Sequence, residues 1–196
     1  MGEIVSFYTS VLPVILAGVT NSAFTKSKLL DNLAKPIDGG KKFVDSRRIF
    51  GDGKTYKGLI GYVVLTILFT VIWGWVCTFA PNLQSNNFFY QLHDNNLLFN
   101  ILVGFLLGLA WAIFELPNSF LKRRFDIKPS MNGKGVIGVL FAILDQADSI
   151  FGVTLVIAIF YPISIAWYFI FVAIGAATHI VFNFLLYVAK LRKRPI

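Results

Sequence analysis

The chain has 196 residues, of which 56% are hydrophobic, 16% aromatic and only 14% charged, and its net charge is +8. This balance excludes an ordinary soluble domain and is typical of an integral membrane protein. The single cysteine, Cys77, excludes an intramolecular disulfide and argues against a cysteine metal cluster.

Long uncharged runs predict five membrane-spanning helices in one membrane-embedded domain over 1–196, because about 20 apolar residues cross a bilayer. The last run, Ser149 to Ala189, is long enough for two crossings and is divided at the sequence YPIS. The predicted all-α fold therefore has spans at about 4–24, 58–80, 96–114, 143–161 and 164–189. The first span lacks a basic n-region and a cleavage site, so we expect it to be retained.

The basic residues are placed on one side of the predicted membrane. Of the 18 Lys and Arg residues, nine lie within 26–57, five within 122–134 and four within 190–194, whereas 81–96 has none. With the N-terminus outside, all of these cations are cytoplasmic, as the positive-inside rule requires. We therefore expect a cell-membrane protein with a cytoplasmic C-terminus and two cytoplasmic loops that form the site. Nucleic acid is a poor candidate partner, since no separate basic module exists.

The first cytoplasmic loop carries three turn signals, KPIDGG, VDSRR and FGDGKTYKG. Glycines let backbone N–H groups approach a ligand, and neighbouring Lys or Arg suits phosphate oxygens. The loop is therefore a candidate phosphate-binding loop; the alternative is simple turns whose cations contact lipid headgroups. GDGKT is not the end of a Walker A motif, because Arg48 stands where that motif needs glycine and no buried strand precedes it.

The second cytoplasmic loop, FELPNSFLKRRFDIKPSMNGKG, begins where the third predicted span ends. We expect Pro117 and Asn118 to break or cap a helix, and SFLKRRFDI to form a short amphipathic helix at the membrane interface. The adjacent cations Lys122, Arg123 and Arg124 suit either a bound phosphate or lipid headgroups.

Asp145 and Asp148 interrupt the fourth apolar segment and share one face of a helix. Two carboxylates this close repel each other unless a cation offsets their charge, and Mg²⁺ takes such oxygens while bridging to substrate phosphates. The alternatives are a proton-coupled pair or a salt bridge to a loop cation. If residues 135–144 lie along the interface, the fourth crossing begins at these acids; the alternative, a continuous helix with the acids near mid-depth, needs a water-filled cavity. For His179 and Asn183 in the last span, helix packing is favoured over a substrate role.

One side of the predicted membrane carries glycine loops with cations, a Lys-Arg-Arg cluster and an acidic pair. This combination suits phosphoryl-group chemistry. The alternative is a non-enzymatic small transporter or lipid-binding protein that uses the acidic pair for ions or protons. Five spans without a detectable repeat disfavour an inverted-repeat transporter. The D-G-x-x-A-R pattern of a CDP-alcohol phosphotransferase is absent.

Three ordered motifs carry a resemblance that covers nearly the whole chain. PIDGGKKFVDSRRIFGDGKTYKG (36–58), SFLKRRFDIKP (119–129) and LDQADS (144–149) resemble the archaeal CDP-archaeol synthase family, which is distantly similar to phosphatidate cytidylyltransferases. The resemblance implies cytidylyl transfer from CTP to a lipid phosphate, giving a CDP-lipid and pyrophosphate, with Mg²⁺ and a five-helix membrane fold. It leaves open an archaeol-phosphate-like substrate or the phosphatidate-like or isoprenoid phosphate of a bacterial relative.

The resemblance also implies which residues form the site. The three motifs contribute, in turn, Asp38, Gly51, Asp52, Lys54 and Thr55; Ser119, Lys122, Arg123 and Arg124; and Asp145 and Asp148. From their chemistry, we expect the two last aspartates to hold Mg²⁺, and Lys54 with the Lys-Arg-Arg cluster to neutralise the triphosphate. Where the archaeal pattern has Gly-Asp, this chain reads ELPN, so Glu115 is a candidate replacement and a further metal ligand.

Overall fold

The structure is a computed structural model and describes residues 2–129, 131 and 133–190. Its α-helices are α1 (Gly2–Phe24), α2 (Tyr56–Thr78), α3 (Pro81–Ser85), α4 (Phe88–Leu92), α5 (Leu97–Arg124), α6 (Gly135–Phe160) and α7 (Ile165–Val188), with one 3-10 turn at Asp31–Leu33. The basic residues after Lys190, which are counted among the predicted cytoplasmic cations, lie outside the described residues.

Five of these helices, α1, α2, α5, α6 and α7, are long and apolar enough to cross a membrane, which confirms the predicted number of spans. The helices α1, α2 and α7 end within two residues of the predicted boundaries. The start of α2 is fixed by Thr55, whose hydroxyl oxygen accepts a hydrogen bond from the Gly58 N–H at 3.1 Å. This cap satisfies one of the free N–H groups in the first turn.

The predicted break after the third span is wrong. Helix α5 runs unbroken through Pro117 to Arg124, so SFLKRR forms its last turns rather than a separate interfacial helix. Proline removes one helical N–H, and membrane helices tolerate this because neighbouring groups satisfy the freed carbonyl. As a consequence, Glu115, Asn118 and Lys122 lie on one face of a single helix.

The predicted start of the fourth span is also wrong. Helix α6 is continuous from Gly135 to Phe160, so Asp145 and Asp148 lie near its middle rather than at its first turn. Residues 135–144 are apolar and contain no proline, so nothing in their sequence ends the helix before the acids. The structure therefore has the continuous helix, and its two aspartates face a cavity.

Helix α5 is packed closely between α2 and α6. A Cβ atom at Gly108 of α5 would lie 2.8 Å from the Val63 Cα of α2. A Cβ atom at Gly152 of α6 would lie 2.8 Å from the Ala110 carbonyl oxygen of α5. Glycine is needed where helix backbones approach this closely, as at many membrane helix interfaces. This packing brings the polar face of α5 against the middle of α6.

Helix α4 fills the end of the bundle opposite the basic loops. The Ser10 hydroxyl donates to Asn87 Oδ1 at 3.3 Å and accepts from the Phe88 N–H at 2.9 Å. The Phe88 ring packs against Tyr161 and Phe171, with centroid distances of 4.8 and 5.7 Å. This end is a packed core, and the large cavity described next extends from it toward the loops.

Candidate active site

A cavity of about 360 Å³ lies among α1, α5, α6, α7 and the first loop. It is lined by several predicted site residues, namely Lys54, Ser119, Lys122, Arg123, Asp145, Asp148 and the candidate Glu115. Farther from the loops, its walls are apolar side chains such as Val11, Val14 and Val153. The cavity is therefore charged toward the loops and apolar toward the interior of the bundle.

The two aspartates are joined by Asn118, a buried residue of α5. Its Nδ2 donates to Asp145 Oδ1 at 2.7 Å and to Asp148 Oδ2 at 2.8 Å. The sequence does not reveal this contact, because Asn118 after Pro117 is predicted to break or cap a helix. Asn118 follows Glu115 by three residues, a spacing that puts both on one face of a helix. This spacing is informative only if the helix continues through Pro117.

Two lysines form ion pairs with carboxylates at the charged end of the cavity. Lys122 pairs with Asp145 Oδ2, and Lys54 pairs with Glu115 Oε2. Burial alone would lower the pKa of Lys54, but the charge and hydrogen bond of Glu115 outweigh that effect and raise the pKa. The Lys54 amine therefore stays protonated at neutral pH and carries a positive charge into the cavity wall.

Ser149 links the third carboxylate to the pair. Its hydroxyl donates to Glu115 Oε1 at 3.2 Å, and its N–H donates to Asp148 Oδ1 at 2.7 Å. Within the described residues, no group of three or more His, Cys, Asp or Glu side chains forms a ready metal cluster. Two carboxylates with a nearby third suit a hard cation that keeps several waters and shares substrate oxygens, as Mg²⁺ does.

His179 and Asn183 line the cavity from α7 and contact Gln146 of α6. Asn183 Nδ2 donates to Gln146 Oε1 at 2.7 Å, and His179 Nδ1 lies 3.3 Å from the Gln146 carbonyl oxygen. These contacts support the favoured helix-packing role. Gln146 is buried against α7, on the side of α6 away from the face that meets Asn118.

The first loop is organised around Asp38. Its carboxylate accepts hydrogen bonds from Arg48 Nη2 at 2.7 Å and from the N–H groups of Gly40, Phe50 and Gly51 at 3.1, 3.0 and 2.8 Å. Burial alone would raise the pKa of Asp38, but these hydrogen bonds, chiefly that of Arg48, hold it well below its ordinary value. Asp38 thus stabilises the loop conformation from outside the cavity wall.

Arg124 connects the first loop to the end of α5. Its Nε lies 2.6 Å from Asp45 Oδ2, and its guanidinium lies 4.3 Å from the centre of the Phe120 ring. Arg47 adds a second connection through a 2.7 Å ion pair with Asp126. We call Arg124, Asp45, Arg47 and Asp126 the loop clamp. Arg124 lies outside the cavity lining, unlike its neighbour Arg123.

The remaining predicted residues of the first motif lie behind the cavity wall. Gly51 has a φ of +91°, and a Cβ atom there would lie 3.6 Å from Arg123 Nε, so glycine suits both the turn and the close approach. The Asp52 side chain is exposed and pairs with Arg48 at 2.8 Å. Thr55 caps α2 and lines a second cavity of about 360 Å³ behind Lys54.

Two curated relatives are similar to nearly all or most of this chain. The chain is 30% identical over 194 residues to a CDP-archaeol synthase of Pyrobaculum islandicum, covering 98% of this chain and 99% of the relative. It is 34% identical over 162 residues to a CDP-archaeol synthase of Saccharolobus solfataricus, covering 82% of this chain and 81% of the relative.

A solved structure of an intramembrane enzyme for archaeal membrane lipid biosynthesis shares the fold. The similarity has a TM-score of 0.60 at 19% identity and covers 92% of each chain. The sequence model of the CarS-like CDP-archaeol synthases matches residues 6–195. Since that match spans nearly all of the sequence, this integral membrane protein belongs to the CDP-archaeol synthase family.

Proposed function

We propose that the protein transfers a cytidylyl group from CTP to a lipid phosphate, giving a CDP-lipid and pyrophosphate. One structural observation carries the proposal: a single cavity joins a charged end, built by the three sequence motifs, to an apolar interior. Nucleotide phosphates need the first environment, and lipid chains need the second. The family match supports this enzymatic function over a small transporter or lipid-binding protein.

The lipid acceptor that we propose is an archaeol-type phosphate, in keeping with the names of the relatives. The apolar wall formed by Val11, Val14 and Val153 suits hydrocarbon chains and discriminates poorly between chains of similar width. A panel of archaeol, diacylglycerol and isoprenoid phosphates therefore tests the lipid class separately from the reaction.

The charged residues have distinct proposed roles. Asp145 and Asp148, with Glu115 as a further candidate, hold Mg²⁺, which when bound offsets phosphate charge and orients the triphosphate. Lys54, Lys122 and Arg123 neutralise the remaining phosphate charge, as befits a reaction whose catalysis is largely positional and electrostatic. An oxygen of the lipid phosphate attacks the α-phosphorus in line, and pyrophosphate leaves; no covalent protein nucleophile is required.

The other residues carried by the motifs support this site from behind. We propose that Asp38 and Gly51 shape the loop around Arg123, and that Thr55 fixes the start of α2 next to Lys54. The exposed Asp52 and the clamp residue Arg124 act through the loop conformation. Ser119 lines the cavity, and we propose that its hydroxyl donates to a phosphate oxygen.

We propose that both basic loops face the cytoplasm, in the cell membrane, and that the chain is a single membrane-embedded domain. In a Cys77→Ser background, a cysteine replaces Val44, which is 91% exposed at the loop tip, or Leu92 at the opposite end. A membrane-impermeant maleimide added to intact cells should label only the Leu92→Cys variant. Labelling of Val44→Cys alone would reverse the proposed orientation.

The reaction itself is tested with purified protein, labelled CTP, Mg²⁺ and the lipid phosphate panel. We expect CDP-lipid and pyrophosphate in equal amounts, with CTP preferred over ATP, GTP and UTP. Absence of both products across the panel, together with nucleotide-independent transport in proteoliposomes, would favour the transporter instead.

A further inference from the structure

We infer that Asn118 is a third oxygen ligand for the divalent cation, which it binds after a half-turn of its side-chain amide. The inference rests on the proposed function, in which Asp145 and Asp148 hold the cation. Without the cation, the Asn118 amide donates hydrogen bonds to the two carboxylates. With the cation bound, the amide oxygen is one of its ligands.

The first observation concerns the two ends of the Asn118 amide. Each hydrogen of Nδ2 is used, one on Asp145 Oδ1 and the other on Asp148 Oδ2. The amide oxygen Oδ1 is buried, and no hydrogen-bond partner for it exists among the residues that the structure describes. The residue is only 6% exposed. Because Oδ1 makes no hydrogen bond to the described residues, a turn of the amide breaks none on the oxygen side.

The second observation concerns distances. Nδ2 lies 2.7 and 2.8 Å from the two aspartate oxygens. In an octahedral Mg²⁺ site with bonds of about 2.0–2.1 Å, neighbouring ligand oxygens lie about 2.9 Å apart. A half-turn about χ2 exchanges Oδ1 and Nδ2 of the amide. After that exchange, Asn118 Oδ1 stands at the spacing of adjacent ligands from both carboxylate oxygens.

The third observation concerns the remaining carboxylate oxygens. Lys122 pairs with Asp145 Oδ2, and the Ser149 N–H donates to Asp148 Oδ1. The oxygens that face Asn118 are therefore the ones that a cation can reach without breaking the ion pair of Asp145 or the backbone hydrogen bond of Asp148. Three converging oxygens repel one another without a cation, so the turned amide is favoured only when the cation is bound.

A neutral amide also suits the charge balance of this site. Helix α6 supplies both carboxylates, and α5 supplies Asn118, so the cation would join the two helices. An amide oxygen adds a ligand without a further negative charge inside the membrane, where each unpaired charge is costly. Asn118 is thus a ligand that the carboxylate pattern of the sequence does not reveal.

The test measures binding of Mn²⁺ alone to the purified full chain by electron paramagnetic resonance, without CTP or lipid. Asn118→Asp keeps the oxygen and loses the donor, whereas Asn118→Ala loses both. We expect Asn118→Asp to bind Mn²⁺ at least as tightly as the wild type, and Asn118→Ala to bind about tenfold more weakly or worse. Asn96→Asp, which keeps the cap at the other end of α5, should leave Mn²⁺ affinity unchanged.

Thermal unfolding gives an independent measurement of the same inference. Without metal, Asn118→Asp places a third carboxylate beside two others and should unfold at a lower temperature than the wild type. Mn²⁺ should raise its unfolding temperature by more than it raises that of the wild type. If Asn118 acts only as a donor, Asn118→Ala frees the two carboxylates and will bind Mn²⁺ at least as tightly as the wild type, and the inference is overturned.

An absence of Mn²⁺ binding by the wild type would also overturn the inference. Because these measurements use neither nucleotide nor lipid, their outcome is separable from that of the cytidylyl-transfer assay. If Asn118→Ala binds Mn²⁺ as tightly as the wild type, and the wild-type enzyme forms CDP-lipid, only the ligand role of Asn118 is removed.

Discussion

Lys54 and Glu115 stand 61 residues apart in the sequence and form an ion pair that borders both cavities. The pair connects the first loop to the middle of the membrane bundle. Lys54→Met should lower turnover by about 100-fold, since a phosphate-facing cation is lost, and should destabilise the fold by about 1–3 kcal/mol because Glu115 is left unpaired. CDP-lipid formation and thermal unfolding measure the two effects.

The double variant Lys54→Met/Glu115→Gln provides the control for this prediction. Removing both charges relieves the unpaired carboxylate, so the unfolding temperature should return toward that of the wild type while turnover stays low. Turnover near the wild-type value in the double variant would remove Lys54 from the catalytic site.

Asp145→Asn and Asp148→Asn should each lower CDP-lipid formation by about two orders of magnitude or more, because each removes a charged ligand from the proposed cation site. Both variants keep the side-chain volume and an oxygen acceptor, so we expect them to fold. The measurements are turnover at saturating Mg²⁺ and thermal unfolding in detergent. Wild-type turnover in both variants would exclude the proposed metal ligands.

Arg123 and Arg124 offer a matched pair of neighbouring cations with different surroundings. Arg124→Ala breaks the loop clamp at Asp45 and Phe120 and should lower stability by about 2 kcal/mol. Arg123→Ala removes a cavity cation that is repelled by Arg48 and Arg124, so it should raise the KM for CTP about tenfold with little change in unfolding temperature.

Two controls make this comparison decisive. Arg124→Lys keeps the charge but loses the planar contacts, so it should recover only part of the lost stability. If Arg124→Ala raises the KM for CTP while leaving the unfolding temperature unchanged, Arg124 is a ligand to phosphate and the clamp interpretation is wrong.

Asp38 predicts a pH dependence of stability with a definite sign. Its pKa is lowered in the folded protein, so the ionised carboxylate stabilises the fold above about pH 4, the value in unfolded chains. That contribution is lost as the pH falls through the lower folded-state pKa. Asp38→Asn should therefore unfold at a lower temperature at pH 7, and its difference from the wild type should shrink below about pH 4.

The control for Asp38 is Asp94→Asn, at the opposite end of the bundle and exposed to solvent. Its unfolding temperature should follow that of the wild type across the same pH range. A difference between Asp38→Asn and the wild type that grows on acidification would contradict the assigned role of Asp38.

Hydropathy and charge predicted five spans because each helix must cross about 30 Å of hydrocarbon, a constraint that acts on each segment separately. Two helix boundaries were predicted wrongly because local sequence features were given more weight than the packing of the bundle. Pro117 predicts a break, but packing against α2 and α6 keeps α5 helical on both sides of it. The acids of α6 predict a span that starts beside them, but Asn118 and Lys122 offset the cost of their burial within a continuous helix.

The candidate site was predictable where charged motif residues line the cavity, as for Asp145 and Asp148 on α6 and Lys122 on α5. It was not predictable where the contact depends on the arrangement of the loops. Nothing in the sequence around Arg124 distinguishes it from Arg123, yet only Arg124 meets Asp45. Such distinctions arise from tertiary contacts between segments far apart in the chain.

The loop clamp determines when the first loop loses its conformational freedom. Arg124 and Arg47 hold the loop against the end of α5. The entropy cost of ordering the loop therefore belongs to folding and not to ligand binding. A ligand therefore meets a preorganised surface, and its binding free energy is not reduced by loop ordering. Loosening the clamp would weaken binding without removing a single ligand contact, so affinity in this protein depends in part on residues that never touch what is bound.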